Sequence, residues 1–206
     1  MWKRAGEALG FVRIGVYGGS FDPPHIGHRV LAVDAAESLK LDRLFVVPAG
    51  IQPLKAQTSD GASPEHRLAM AKLAFRGVGV VEVDESEVKR PGLSFTVDTL
   101  ESFSSRFPGA QIFLLLGRDS YDSFNKWKNP GRIRELSGLV ILERGSEIRK
   151  VEDDVFVVAT RRIEVSSTEI RSRRKAGKSI AGFVPDAVLK YIEANNLYAP
   201  QGASQE

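Results

Sequence analysis

The sequence predicts an α/β chain: a doubly wound, mostly parallel sheet with a small helical extension toward the C-terminal end. Two observations carry this. Short apolar runs alternate with amphipathic stretches along the chain, the pattern of strands linked by crossover helices. One run, Ile112 to Leu116, is apolar at every position and ends in Gly117, as a central strand covered on both faces requires. The 206 residues suit about one domain, large enough to bury roughly two-thirds of its unfolded surface.

The elements follow in order. Phe11 to Tyr17 is a strand ending at Gly18-Gly19, and Ile26 to Leu39 a helix with Val30, Leu31 and Ala35 at helical spacing. Leu44 to Val47 is the second strand, stopped by Pro48. Pro64 opens a helix that runs to Phe75, and Val78 to Val83 is the third strand. Ser94 is placed to cap a helix reaching Phe107. Ile112–Leu116, Leu139–Leu142 and Val155–Val158 complete the sheet, and Thr168–Ala176 and Pro185–Asn195 are helices. One domain is expected over 1–199, its helical part beginning near 166, with 200–206 a frayed tail. The Gln-, Ser- and Pro-rich stretch 49–63 reads as a loop long enough to act as a mobile lid.

Composition removes several classes of function. Apolar residues are 42% and charged residues 27%, a globular balance. There is no cysteine, which excludes a disulfide scaffold, a zinc ribbon, an iron–sulfur cluster and a thiol nucleophile. A net charge of +3 is too mild to argue for nucleic acid. The N-terminal Lys3 and Arg4 precede no long apolar stretch, so neither a signal peptide nor a membrane span is expected, and the protein is placed in the cytoplasm.

Open parallel sheets bind ligands beyond the carboxyl ends of their strands. There the sequence reads Gly18-Gly19-Ser20-Phe21-Asp22-Pro23-Pro24-His25-Ile26-Gly27-His28. The glycines permit a tight turn and a close ligand, and the prolines set the entry into a helix. His25 and His28, three apart in the first turn, fall on one face. The amides and positive dipole end of the helix point the same way, an anion site with two added donors that suits a polyphosphate. Gly27 leaves room for a flat part of the ligand. Two of the three histidines lie in this one turn.

A second anchor is Val165-Ser166-Ser167-Thr168-Glu169-Ile170-Arg171. Ser166 or Ser167 caps a helix, and Arg171, on the face of Thr168, can grip a phosphate bidentately. Residues 161–178 carry seven basic residues against two acidic. They read as a solvated face, since no aromatics interleave as nucleic-acid binding would ask. Gly177-Lys178-Ser179 imitates the end of a P-loop, but Ser172 stands where its first glycine belongs and no strand precedes it.

The two anchors resemble the signatures of the HxGH-type nucleotidylyltransferases, and the chain is similar over nearly its whole length to the bacterial nicotinate mononucleotide adenylyltransferases among them. The segments Ser94 to Leu100 and Leu116 to Ser120, with Trp127, resemble the acceptor region of that family, and Phe183-Val184-Pro185 through Tyr198 resembles its ending. The resemblance implies a Rossmann-like nucleotidylyltransferase fold. It implies transfer of AMP from ATP to nicotinate mononucleotide, giving the dinucleotide and pyrophosphate by in-line attack without a covalent intermediate. It assigns His25, His28, Lys55 and Arg171 to catalysis, and Gly18, Gly19, Ser20, Phe21, Gly117, Asp119, Ser167 and Thr168 with His25, His28 and Arg171 to ATP. Lys55, Thr96, Asp119, Trp127 and Arg144 fall to the acceptor. Mg²⁺ is expected with ATP, held mainly by phosphates rather than by a protein cage. Small molecules are the expected partners, without nucleic acid or membrane, and a homo-oligomer is left open. Two other readings stand beside this one: the amide, nicotinamide mononucleotide, as preferred acceptor, and a nucleotide-sensing regulator without chemistry. Arg118 stands where the family usually has a small residue, so it either alters the acceptor pocket or faces solvent.

Overall fold

In the computed structural model, the described residues are 11–51, 61–144, 152 and 154–200. Six strands form one sheet: β1 (Arg13–Gly19), β2 (Arg43–Pro48), β3 (Val81–Val83), β4 (Gln111–Gly117), β5 (Gly138–Arg144) and β6 (Phe156–Thr160). Their order is β3-β2-β1-β4-β5-β6, and every pair is parallel. Helices α1 (Ile26–Ser38), α2 (Pro64–Phe75), α3 (Ser86–Lys89) and α4 (Thr96–Arg106) precede β4. Helices α5 (Arg118–Asp122) and α6 (Pro130–Leu136) lie between β4 and β5, and α7 (Ser167–Lys175) and α8 (Asp186–Ala194) follow the sheet.

The period of two along each strand divides the core into two layers. On β4, Phe113 and Leu115 join α1, α2, α7 and α8 through Leu31, Ala35, Met70, Ile170, Val188 and Ile192. Ile112, Leu114 and Leu116 face the other way, onto Val97, Leu100 and Phe103 of α4 and Ile133 of α6. The C-terminal helices therefore share the core of α1, while Val30 is only half-buried.

The predicted elements return with four corrections. The first strand begins at Arg13, leaving Phe11 and Val12 exposed, and continues through both glycines because its register with β2 runs on to Gly19 opposite Pro48. The third strand keeps only Val81–Val83. Gly77 and Gly79 have φ of 71° and 42°, and the Val81 N–H donates back to the Val78 carbonyl, so the stretch before it is a turn. Ser94 does not cap α4: Phe95 holds that position, and the Ser94 hydroxyl instead accepts the Gly50 N–H at 3.0 Å. The short helices α3, α5 and α6 have no counterpart in the sequence reading, being too brief to show a period. Among the described residues no helix is long and apolar enough to cross a membrane.

Candidate functional site

The strand order reverses direction between β1 and β4, and in open α/β sheets the crevice at this switch point takes the ligand. The two strands end there on Gly18-Gly19 and Gly117. Gly18 and Gly117 are exposed, and a Cβ on either would meet nothing within 4 Å. Both strand ends thus open onto free space.

The turn leaving β1 is held by its aromatic ring. Phe21 takes a left-handed φ of 50°, a conformation that costs a non-glycine residue about 1–2 kcal/mol. Burial of its side chain offsets that cost: the ring is 2% exposed and packs edge-on against Tyr17 at 5.4 Å, His28 at 5.1 Å and Phe75 at 6.1 Å. Beyond it, His25 occupies the N-cap of α1 and is buried. Its backbone N–H donates to Nδ1 of His28 at 3.2 Å. With Nδ1 accepting, the proton of the neutral His28 ring sits on Nε2, which makes that atom a donor. The two rings lie 3.8 Å apart at 31°, so the pair shares one face, as the spacing predicts. Gly27 also makes room for a neighbour: a Cβ there would lie 3.0 Å from the His25 ring.

The second anchor arrives on the same turn. Ser166 caps α7 by accepting the Glu169 N–H at 3.1 Å, which frees the Ser167 hydroxyl to donate to the Pro23 carbonyl at 2.9 Å. One helical turn on, Nη1 of Arg171 donates to the Asp22 carbonyl at 2.7 Å and lies 4.0 Å from its carboxylate. Thr168 is exposed in the first turn of α7. Two helix N-termini, α1 and α7, are thereby fastened to residues 22–25, and each brings a positive dipole end there.

Asp22 and Tyr198, to which the sequence reading gave no role, complete this junction. Oδ1 of Asp22 accepts the Tyr198 hydroxyl at 2.5 Å and the Ala62 N–H at 3.0 Å, while the Ile26 N–H donates to the Phe183 carbonyl at 3.0 Å. Burial, and then the neighbouring Asp22 carboxylate, push the Tyr198 hydroxyl well above the ordinary tyrosine range. No local sequence signal marks this bond, whose partners stand 176 positions apart.

Across the crevice, Thr96 opens α4 and is half-buried, and Asp119 is exposed in the first turn of α5. Trp127 ends a 3₁₀ turn, Phe124–Lys126, with its ring 5.7 Å from that of Phe124. Lys128 draws these segments together: its Nζ is 3.2 Å from the Asp98 carboxylate and 4.4 Å over the Phe95 ring. The residue after Trp127 thus grips both flanks of Thr96. Arg118 does not face solvent. Its Nε donates to Oε2 of Glu143 at 2.9 Å and Nη2 donates to the same oxygen, with the two side chains only 11% and 7% exposed.

Lys55 lies outside the described residues, as does most of the expected lid. The backbone of Arg144 ends β5, and its side chain is likewise outside them. The basic run of α7 is less solvated than its composition implies. Arg173 donates to the Ser179 carbonyl at 3.0 Å and covers the Phe183 ring at 4.6 Å. Gly177, with φ of 67°, ends that helix. Among the described residues, no group of three or more His, Asp or Glu is placed to hold a metal ion.

Comparison with known proteins adds to this geometry. Residues 16–173 match the family model described as cytidylyltransferase-like. A Gemmatimonas aurantiaca protein named "Probable nicotinate-nucleotide adenylyltransferase" is 46% identical over 205 residues, covering 94% of this chain and 96% of its own. A Salinibacter ruber protein of the same name is 38% identical over 192 residues, covering 91% and 98%. The fold is similar to that of the Plasmodium falciparum nicotinic acid mononucleotide adenylyltransferase complexed with NaAD. The TM-score is 0.74 at 19% identity, over 90% of this chain and 97% of that one.

Proposed function

This chain belongs to the cytidylyltransferase-like family and, within it, to the nicotinate-nucleotide adenylyltransferases; from that premise we propose how its own residues transfer the adenylyl group of ATP to nicotinate mononucleotide. An oxygen of the acceptor's phosphate attacks the α-phosphorus of ATP, the bond from that phosphorus to the bridging β-oxygen breaks, and pyrophosphate leaves with the electron pair. No group of the protein bonds to the substrate, so catalysis is positioning and charge stabilisation.

Gly18, Gly19, Ser20 and Phe21 supply the turn against which the triphosphate lies. The Nε2–H of His28 donates to the α-phosphate as its charge grows, and His25 fixes that imidazole through its backbone N–H. Arg171, with the first-turn amides and hydroxyls at Ser167 and Thr168, takes the departing β- and γ-phosphates. Gly117 and Asp119 take sugar hydroxyls. Thr96, Trp127 and Arg144 bind the acceptor, Trp127 by stacking on the pyridine ring, and Lys55 reaches phosphate from its loop. Mg²⁺ enters as part of the substrate, Mg·ATP, and neutralises phosphate charge. A cytoplasmic location fits substrates that are metabolites of the cell interior.

The observation that carries this reading is the bond from Arg171 to the Asp22 carbonyl, which delivers the late guanidinium to the early imidazole turn. The test is pyrophosphate release from ATP with nicotinate mononucleotide, nicotinamide mononucleotide and phosphopantetheine in parallel. The acid is expected to be the fastest acceptor. Release with either of the others and none with the acid would overturn the assignment.

A further inference from the structure

Arg67 lies inside α2 and is only 8% exposed. A buried guanidinium must find oxygen partners. It finds three backbone carbonyls from separate pieces of chain. Nη1 donates to Ser20 at 2.9 Å, Nη2 to Gly50 at 2.9 Å and Nε to Ala62 at 3.3 Å. Ser20 belongs to the turn after β1, Gly50 to the tail of β2, and Ala62 to the segment entering α2.

Each piece is held a second time. The Ala62 N–H donates to Asp22, so this residue is gripped at its N–H by the phosphate turn and at its carbonyl by Arg67. The Gly50 N–H donates to the Ser94 hydroxyl, and the Ser94 N–H donates to the Ile51 carbonyl at 2.8 Å. Gly50 has no room to shift: a Cβ there would lie 2.5 Å from the Glu87 carbonyl oxygen. Ser94 in turn stands two residues before Thr96, at the start of α4. Arg67 therefore sits where the chain that receives ATP meets the chain that leads to the acceptor.

We propose that Arg67 is a positioning residue for adenylyl transfer: its planar fork fixes the spacing between the Ser20 turn and the Gly50–Ser94 edge, so that acceptor oxygen and α-phosphorus meet in line. This rests on the functional reading above. A guanidinium directs N–H groups along several fixed directions at once, whereas the ammonium of lysine is a point charge on a flexible stem. An in-line reaction is sensitive to the joint, since a misplacement of about 1 Å can cost roughly a hundredfold in rate. Each substrate binds mainly through contacts of its own, so losing the fork should lower kcat and leave each KM nearly alone.

The variants Arg67→Lys and Arg67→Met test this by steady-state kinetics, thermal melting and amide hydrogen exchange. Expected at saturating substrates is a fall in kcat of about tenfold or more, with both KM values within about threefold of wild type. Exchange should quicken in 18–23, 48–51 and 61–63 while β4 and β5 keep their protection. Should Arg67→Met fail to fold, Arg67→Lys, which keeps the charge, decides alone. Wild-type kcat in Arg67→Lys, a fall matching only the folded fraction, a rise in KM at constant kcat, or exchange that is unchanged or raised throughout the sheet would each overturn the proposal. The exchange measurement needs no substrate. A wild-type enzyme that releases no pyrophosphate would sink the functional reading, while exchange still decides whether Arg67 joins the three segments.

Discussion

Nη1 of Arg171 donates to the carbonyl oxygen of Asp22 at 2.7 Å, across 149 positions of sequence. The same guanidinium stands 4.0 Å from the Asp22 carboxylate. It is thus held beside the imidazole turn while keeping donors for an incoming phosphate. Arg171→Ala should raise the KM for ATP by about tenfold or more and change that of the acceptor less, as the loss of a charge-assisted contact worth about 1.5–3 kcal/mol implies. Arg171→Lys should recover only part of this. Equal weakening of both substrates would contradict a role at the leaving phosphates.

For His28, the bond from the His25 N–H fixes the ring with Nε2 as donor. His28→Ala should lower turnover about a hundredfold, the usual effect of removing a donor to a developing charge, while the fold survives with a loss of about 1 kcal/mol from the missing hydrogen bond. Rate measurements together with a melting curve check both halves. Near wild-type turnover would remove His28 from the mechanism.

Tyr198→Phe removes the hydroxyl that donates to Asp22. Because the acceptor is a carboxylate and Tyr198 is buried, the variant should be less stable by about 2 kcal/mol. The pH dependence follows from the raised pKa. The fold holds the neutral phenol beyond its ordinary value of 10.0, so the advantage of wild type over Tyr198→Phe is complete below pH 10. It shrinks as the pH rises past that point, where the unfolded chain ionises and the folded one does not. Denaturant melts of both proteins at pH 8 and pH 11 measure this; a constant difference would refute it.

The pair Arg118–Glu143 lies across the ends of β4 and β5 and is almost fully enclosed. Glu143→Ala strands a buried guanidinium and should cost about 3–5 kcal/mol. The double variant Arg118→Met/Glu143→Leu, which removes both charges, should cost clearly less. Equal losses in chemical denaturation would show that the pair contributes packing and not charge compensation.

Most of the sheet was legible because its strands are nearly continuous apolar runs bounded by glycine or proline, and the turn after β1 stands out as a candidate site because two histidines and two prolines crowd into it. What escaped were the cross-connections. Ser94 has the side chain of a cap yet spends its hydroxyl on Gly50, a partner 44 positions away that no local pattern marks. Arg67 reads as an ordinary helical arginine, and only the meeting of three distant carbonyls distinguishes it. Arg118 was open to two readings because its partner, Glu143, lies 25 positions later. Nor does any local pattern show that Gly27 lies against the ring of His25. In each case the sequence shows a residue's chemistry but not the three-dimensional neighbour that decides its use.

The closing of the phosphate turn by Ser167, Arg171, Phe183 and Tyr198 has a consequence during synthesis on the ribosome. A nascent chain that has emerged only as far as β6 carries both imidazoles but lacks every one of those fasteners. Under the proposed mechanism, catalytic competence arrives late in translation, when the last helices dock, and an interrupted polypeptide is expected to be inert toward the cell's nucleotides.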